Sequence, residues 1–272
     1  MTTLDLPDGP LHYEVRGAGP HLLISGSPMT AAAFAPLAEA LATDYTVITH
    51  DPRGISGSRL NDPDAPSGPE LRARDLLLLL DELGVDSFDM FGSSGGAVTG
   101  LALVAAYPGR VRTLIAHEPP LLELLPEAAD WRATIENVVA TFHEHGAGAA
   151  WGAFMASAGP TSGDDAPPPP PTDHRPTEQE TADNSRFFDH DLRETTQFVP
   201  DLAALTRSST RVIVGIGEES AHLNTHQTSV ALARLLAEPP VGFPGDHGGF
   251  LGQPVEFAAA IRAVLAADPA VN

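Results

Sequence analysis

The chain has 272 residues, 42% of them hydrophobic, and a formal net charge of -21, enough length and apolar content for one elaborated domain with a sizeable core. Cysteine and lysine are both absent and all fifteen basic residues are arginines, which removes disulfides, thiol nucleophiles, thiolate metal sites, Schiff-base lysines and P-loop lysines together. The negative charge disfavours nucleic acid and anionic membrane as partners, since both attach through basic patches, but screening over about 10 Å leaves the polarity of a local pocket open.

The run from Met1 to Asp8 has no basic start and no apolar block, so no secretory signal is expected. The leucine run Leu76 to Leu80 stops at Asp81, and Val98 to Tyr107 falls short of the about 18 to 20 residues that a bilayer span needs. A soluble, cytoplasmic protein is the expectation, and the missing cysteines fit a reducing compartment.

In chain order, short β-rich segments alternate with helical patterns, which predicts an α/β fold around a mainly parallel sheet. Strands are expected at Thr3 to Leu6, Leu11 to Arg16, His21 to Ile24, Tyr45 to Thr49, Ser87 to Phe91, Val111 to Ala116, Arg211 to Gly215 and Pro240 to Phe243. The first two form a hairpin around Asp8-Gly9. Helical patterns cover Ala31 to Ala42, Glu70 to Leu83, Gly95 to Tyr107, His222 to Ala237 and Val255 to Ala267.

The alternation breaks after Glu118. From Pro119 to about Val199 no strand is readable, and helical stretches at Ala128 to His145, Ala149 to Ala158 and Thr177 to Gln197 predict a helical insertion over one edge of the sheet. The expected division is a core of residues 1–118 and 200–272 and an insertion of residues 119–199. Within it, residues 159–176 carry the run Pro167 to Pro171 among Ser, Gly and Asp, a composition that favours extended chain over a packed core. It reads as a mobile lid loop or as a passive surface loop.

Phe91-Gly92-Ser93-Ser94-Gly95-Gly96 places two serines at a strand-to-helix junction. The G-x-S-x-G turn is so sharp that the positions two before and two after the serine must be nearly free of side chain. Ser94 has Gly92 and Gly96 there, whereas Ser93 has Phe91 and Gly95, so Ser94 is the nucleophile candidate. The helix that starts at Gly95 presents its N-terminal dipole end to a developing oxyanion.

On these residues the chain resembles the α/β-hydrolase superfamily, over nearly its whole length outside the insertion. The resemblance implies an eight-stranded, mostly parallel sheet flanked by helices, with a helical cap. His21-Leu22-Leu23-Ile24-Ser25-Gly26-Ser27-Pro28 is similar to the family's strand and oxyanion turn, with Ser25 in place of the usual His. Backbone N–H groups of Ser27 and Gly95 are the implied oxyanion donors. Asp51-Pro52-Arg53-Gly54-Ile55-Ser56-Gly57-Ser58 resembles the D-x-R-G-x-G-x-S turn, in which Asp51 and Arg53 are assigned to loop architecture.

A serine hydroxyl needs a base at neutral pH. His247, in Gly245-Asp246-His247-Gly248-Gly249-Phe250, stands where the family places its histidine, between the last strand and the last helix. The family's acid usually follows strand seven, but Gly217-Glu218-Glu219-Ser220 ends there in serine. A carboxylate is wanted at another strand end to hold the imidazolium. Glu118, at the end of strand six, resembles the alternative acid of some haloalkane dehalogenases, and Glu219 is the reserve. His222 and His226 lie at i and i+4 without a recognisable third ligand, so no metal site is expected.

These roles describe a serine hydrolase without a cofactor, acting on a small-molecule ester or lactone of a small to medium apolar group; amide and C–C bond hydrolysis use the same machinery. Serine at the elbow argues against carboxylate displacement at carbon. The insertion's Trp131, Phe142, Trp151, Phe154, Met155, Phe187 and Phe188 either line an apolar pocket or pack the lid. The alternative, motivated by Ser220 and Ser25, is a non-hydrolytic protein that binds an apolar ligand beneath the cap. Oligomeric state is not legible.

Overall fold

The computed structural model describes residues 2–159 and 175–267; the Pro-rich run Pro167 to Pro171, expected as a loop, lies outside them. Eight strands form one sheet: β1 (Thr2–Leu6), β2 (Gly9–Arg16), β3 (His21–Ser25), β4 (Thr46–His50), β5 (Phe88–Ser93), β6 (Val111–His117), β7 (Arg211–Gly217) and β8 (Val241–Phe243). Their spatial order is β1-β2-β4-β3-β5-β6-β7-β8. The pairs β1–β2 and β2–β4 are antiparallel, and all pairs from β4–β3 to β7–β8 are parallel. Leu6 pairs with Gly9, so the hairpin turns on Pro7 and Asp8, one position earlier than expected; the fixed φ of proline suits an early turn position.

The parallel strands are apolar on both faces because helices cover both. Leu23, Met90 and Leu114 face one cluster with Leu76, Leu79, Leu101 and Leu232, and Leu22, Ile24, Phe91 and Ile115 face a second with Phe34, Leu37, Phe257 and Ile261. The first face therefore carries α2 (Pro69–Glu82), α3 (Gly95–Ala106) and α9 (Asn224–Leu236), and the second carries α1 (Ala35–Leu41) and α11 (Pro254–Ala266). In α3 every residue from Gly95 to Val104 is buried. Each fully buried Leu or Val contributes roughly 1.5–3 kcal/mol, so the turn that feeds α3 is anchored on a helix buried over ten successive residues.

Between β6 and β7 the described residues contain helices only: α4 (Ala128–His145), α5 (Ala147–Ala158), α6 (Glu178–Ser185), α7 (Leu192–Thr196) and α8 (Leu202–Arg207). The continuous helix expected over Thr177 to Gln197 is interrupted by a π-helical turn, Arg186–Asp191. Its extra residue per turn brings Arg186, Phe187, Phe188 and Asp191 inside together. The insertion has its own core. Trp151 stacks on Phe187 with ring centroids 4.8 Å apart, and Phe142 stacks on Phe188 at 4.9 Å. Trp131 and Phe154 pack against the same cluster, whereas Met155 is exposed.

Candidate active site

The parallel strands end on one edge, and the loops after β3, β5, β6, β7 and β8 converge there, the place where open α/β sheets bind ligands. Ser94 joins β5 to α3 with φ 55° and ψ -123°, a conformation that costs on the order of 1–3 kcal/mol for a residue with a side chain. The glycine spacing has a measurable reason. A Cβ on Gly92 would lie 2.6 Å from the Gly96 carbonyl oxygen, and one on Gly96 would lie 2.0 Å from that of Ser25. The Ser94 N–H donates to the His117 carbonyl (2.9 Å), and the Ser94 carbonyl accepts from Ala97 (3.0 Å). Ser93 is fully buried with Oγ 3.4 Å from His117 Nδ1, while Ser94 is only partly buried.

His247 lies between β8 and the short helix α10 (Gly249–Gly252). Gly245 adopts φ 76°, and Asp246 closes the turn by accepting N–H bonds from Gly248 (2.8 Å) and Gly249 (3.0 Å). The imidazole stacks on His117 at a centroid distance of 6.2 Å and keeps 31% of its side chain exposed. Its Nδ1 lies 2.7 Å from Glu118 Oε2. A carboxylate can only accept, so the proton belongs on Nδ1 and the Nε2 lone pair is free.

Glu118 follows β6 with φ 48° and its side chain is fully buried. Oε1 accepts from the Gly217 N–H (2.9 Å), and Oε2 accepts from Thr225 Oγ1 (3.0 Å) as well as from His247. Burial alone would raise its pKa, but the hydrogen bond and charge of His247, with a smaller contribution from His117, outweigh burial and bring it down to about 2. Ser220, the position where the family's acid is usual, is buried close enough to lower that carboxyl slightly, yet its Oγ forms no well-aligned hydrogen bond. Glu219 is exposed, and its N–H bonds Gly245 O (2.9 Å). Of the two carboxylates considered, Glu118 is the one that touches His247.

The turn after β3 packs directly on the elbow. A Cβ on Gly95 would lie 2.9 Å from both the Cβ and the carbonyl oxygen of Ser27, so the Ser27 and Gly95 backbones adjoin. Among the described residues, neither N–H has a hydrogen-bond acceptor. The side chain of Ser25 is supported by a residue that sequence reading missed: His50 Nε2 lies 3.0 Å from Ser25 Oγ, and His50 Nδ1 lies 3.1 Å from the Asp51 carbonyl. Burial lowers the His50 pKa to about 4, so the ring is neutral, donates from Nδ1 and accepts the Ser25 hydroxyl proton at Nε2.

Asp51 accepts the Ala31 and Gly57 N–H groups (2.9 Å each) and Arg53 bonds Asp75 (2.9 Å), Asp8 (2.5 Å) and the Pro66 carbonyl (3.0 Å). Both are committed to the loop. No group of three or more His, Asp or Glu side chains that could hold a metal ion occurs among the described residues, including around His222 and His226. No hydrogen bond joins Ser94 Oγ to His247 among the described residues; such contacts commonly tighten only when substrate is bound. The arrangement can carry out nucleophilic attack at a carbonyl, with a buried carboxylate holding the imidazole and two free amides beside the hydroxyl.

Comparison with known proteins agrees with this architecture. Residues 20–190 match the model of a family described as alpha/beta hydrolase fold. An uncharacterized hydrolase of Bacillus subtilis, YraK, is 30% identical over 271 residues, covering 97% of this chain and 95% of its own. The enol-lactonase of Burkholderia xenovorans superposes with a TM-score of 0.72 at 16% identity, covering 98% of this chain and 100% of that one. A thermophilic esterase from Thermogutta terrifontis superposes with a TM-score of 0.74 at 20% identity, covering 97% and 98%. This chain belongs to the alpha/beta hydrolase family and is a hydrolase.

Proposed function

We propose that this hydrolase cleaves a carboxylic ester or lactone of a small to medium apolar molecule through an acyl-enzyme on Ser94. His247 Nε2 takes the Ser94 proton, Ser94 Oγ attacks the acyl carbonyl, and the Ser27 and Gly95 N–H groups hold the tetrahedral oxyanion. The imidazolium then protonates the leaving oxygen, and a water activated by the same Nε2 releases the acid. Glu118 stabilises the imidazolium throughout. No cofactor takes part in these steps.

The observation that carries the proposal is the 2.7 Å bond between His247 Nδ1 and the buried Glu118 carboxylate. It orients Nε2 and places a compensating charge where catalysis transiently creates a cation. Ester and lactone are favoured as substrates because the enzymes of similar fold include proteins described as an enol-lactonase and an esterase. The helical insertion is read as a cap over the site. Short-chain p-nitrophenyl esters and a simple lactone test the activity: hydrolysis by the native protein, abolished in Ser94→Ala, is expected, and unchanged turnover in Ser94→Ala would refute the assignment.

A further inference from the structure

One buried cation lies beside the proposed oxyanion site and has no part in the steps above. Arg72, in the first turn of α2, is 3% exposed. Its Nη1 donates to Ser27 Oγ (3.3 Å) and its Nη2 donates to Thr195 Oγ1 (2.8 Å). Thr195 belongs to α7 of the insertion, and its Cγ2 would lie 3.4 Å from a Cβ built on Gly95. The two side chains that Arg72 grips therefore both abut Gly95, and one of them belongs to the residue that carries the other oxyanion amide.

The anchor behind this fork is also charged. Asp191 lies 4.0 Å from Arg72 Nη1 and 3.5 Å from Arg186 Nε, and neither carboxylate oxygen forms a well-aligned hydrogen bond among the described residues, although the Ser67 hydroxyl is close enough to act on it. Arg186 reaches across to the Pro63 carbonyl (3.1 Å) and the Ala65 carbonyl (2.6 Å). Two buried guanidinium groups thus face one buried carboxylate, and Glu194 and Glu70 also act on Arg72, so the fork is held from behind by charge as well as by hydrogen bonds.

We infer that Arg72 is a positioning residue for the oxyanion site: it fixes the Ser27 side chain from behind and ties that turn to Thr195 of the insertion. The inference rests on the acyl-transfer reading of Ser94 and Ser27. It makes Arg72 matter in the transition state more than in substrate binding, since the ground-state carbonyl carries little charge. A purely structural arginine would lower the amount of folded enzyme and leave the kinetics of the folded fraction unchanged.

The test compares Arg72→Met, Arg72→Lys, Ser27→Ala and the Arg72→Met/Ser27→Ala pair on p-nitrophenyl acetate. A fluorophosphonate titration counts competent sites in each sample. Per active site, Arg72→Met is expected to lose on the order of 10-fold in kcat, less than direct loss of an oxyanion donor, with KM within about twofold. Arg72→Lys retains the charge but not the two-pronged grip, so it recovers part of the loss. Arg72→Met costs less in the Ser27→Ala background than in the native one, because the shared contact is already gone.

If Arg72→Met does not fold, Arg72→Lys and its pairing with Ser27→Ala decide by the same criteria. An unaltered kcat per site, or losses that simply multiply in the double variant, would overturn the inference while leaving the hydrolase reading intact. A native protein that neither turns over ester nor takes up the probe would instead overturn the acyl-transfer reading, and this inference with it.

Discussion

Replacing Glu118 by glutamine changes one atom and tests the relay. The carboxylate has two seats. Oε1 faces the Gly217 N–H at 2.9 Å, and Oε2 faces His247 Nδ1 at 2.7 Å and Thr225 Oγ1 at 3.0 Å. An amide nitrogen in the first seat sets donor against donor inside a fully buried site, at a cost of about 1–3 kcal/mol. In the second seat it donates to Nδ1, while the Thr225 hydroxyl is free to rotate and accept, so the glutamine adopts that orientation. The imidazole proton is then driven to Nε2, the nitrogen required as base. The lost charge adds to the wrong tautomer. Against the effect of burial, the carboxyl is held down to about 2 by the hydrogen bond and charge of His247, so the pair favours an anion facing the imidazole, and a neutral amide cannot compensate the imidazolium that forms in catalysis. Together the two effects predict a fall in kcat of about 10³- to 10⁴-fold, with KM little changed. Steady-state hydrolysis of p-nitrophenyl acetate measures it, with Glu219→Gln, whose side chain is exposed, expected within about twofold of native. A Glu118→Gln enzyme that keeps a third of its kcat, or a crippled Glu219→Gln, would refute the reasoning.

Two further predictions concern the frame of the site. Gly96→Ala would put a Cβ 2.0 Å from the Ser25 carbonyl oxygen, backbone against backbone with no side chain free to yield, so a loss of at least about 3 kcal/mol and a Tm drop of roughly 6–12 °C are expected by thermal melting; a drop under 2 °C would show that the elbow and the oxyanion turn are not in register. His117 is fully buried among Phe91, Phe243 and Phe257, and burial lowers its pKa to about 3. A base whose folded pKa is depressed contributes stability that is present above the unfolded value of 6.5 and is lost as pH falls below it, because the unfolded chain then binds the proton first. Urea unfolding at pH 7.5 and 5.5 isolates this residue by difference: the native protein should lose about 1.4 kcal/mol more than His117→Phe over that interval, and an equal loss in both would mean that the ring is already protonated or solvated when folded.

The fold was legible because its signals are local. Eight β-rich stretches of strand length, the change from β-rich to helical pattern, and the glycine spacing around Ser94 each reflect a local requirement of the chain. Glu118 came into view for a different reason: with serine at position 220 a carboxylate is wanted at another strand end, the family resemblance points to the end of strand six with Glu219 in reserve, and the structure puts Glu118 rather than Glu219 in contact with His247. What escaped is what long-range packing decides. Thr225 reaches Glu118 across 107 positions of sequence and Arg72 reaches Thr195 across 123, and neither residue type at those places differs from an ordinary helix surface. His50 lies 25 positions from Ser25 and on a different strand, so their contact was also hidden. The π-helical turn in the insertion also gave no warning, since Arg186-Phe187-Phe188-Asp189-His190-Asp191 reads as plain helix until both the aromatic and the charged pair have to be buried together.

The central claim is that Ser94 Oγ receives the acyl group, and a covalent trap addresses it most directly. Native protein mixed with p-nitrophenyl acetate and quenched in acid within a single turnover should gain one acetyl mass per chain, located on Ser94 by peptide fragmentation, and Glu118→Gln should acquire it more slowly at the same residue. An acetyl group on Ser93, or hydrolysis that proceeds at full rate with Ser94 never modified, would contradict the account.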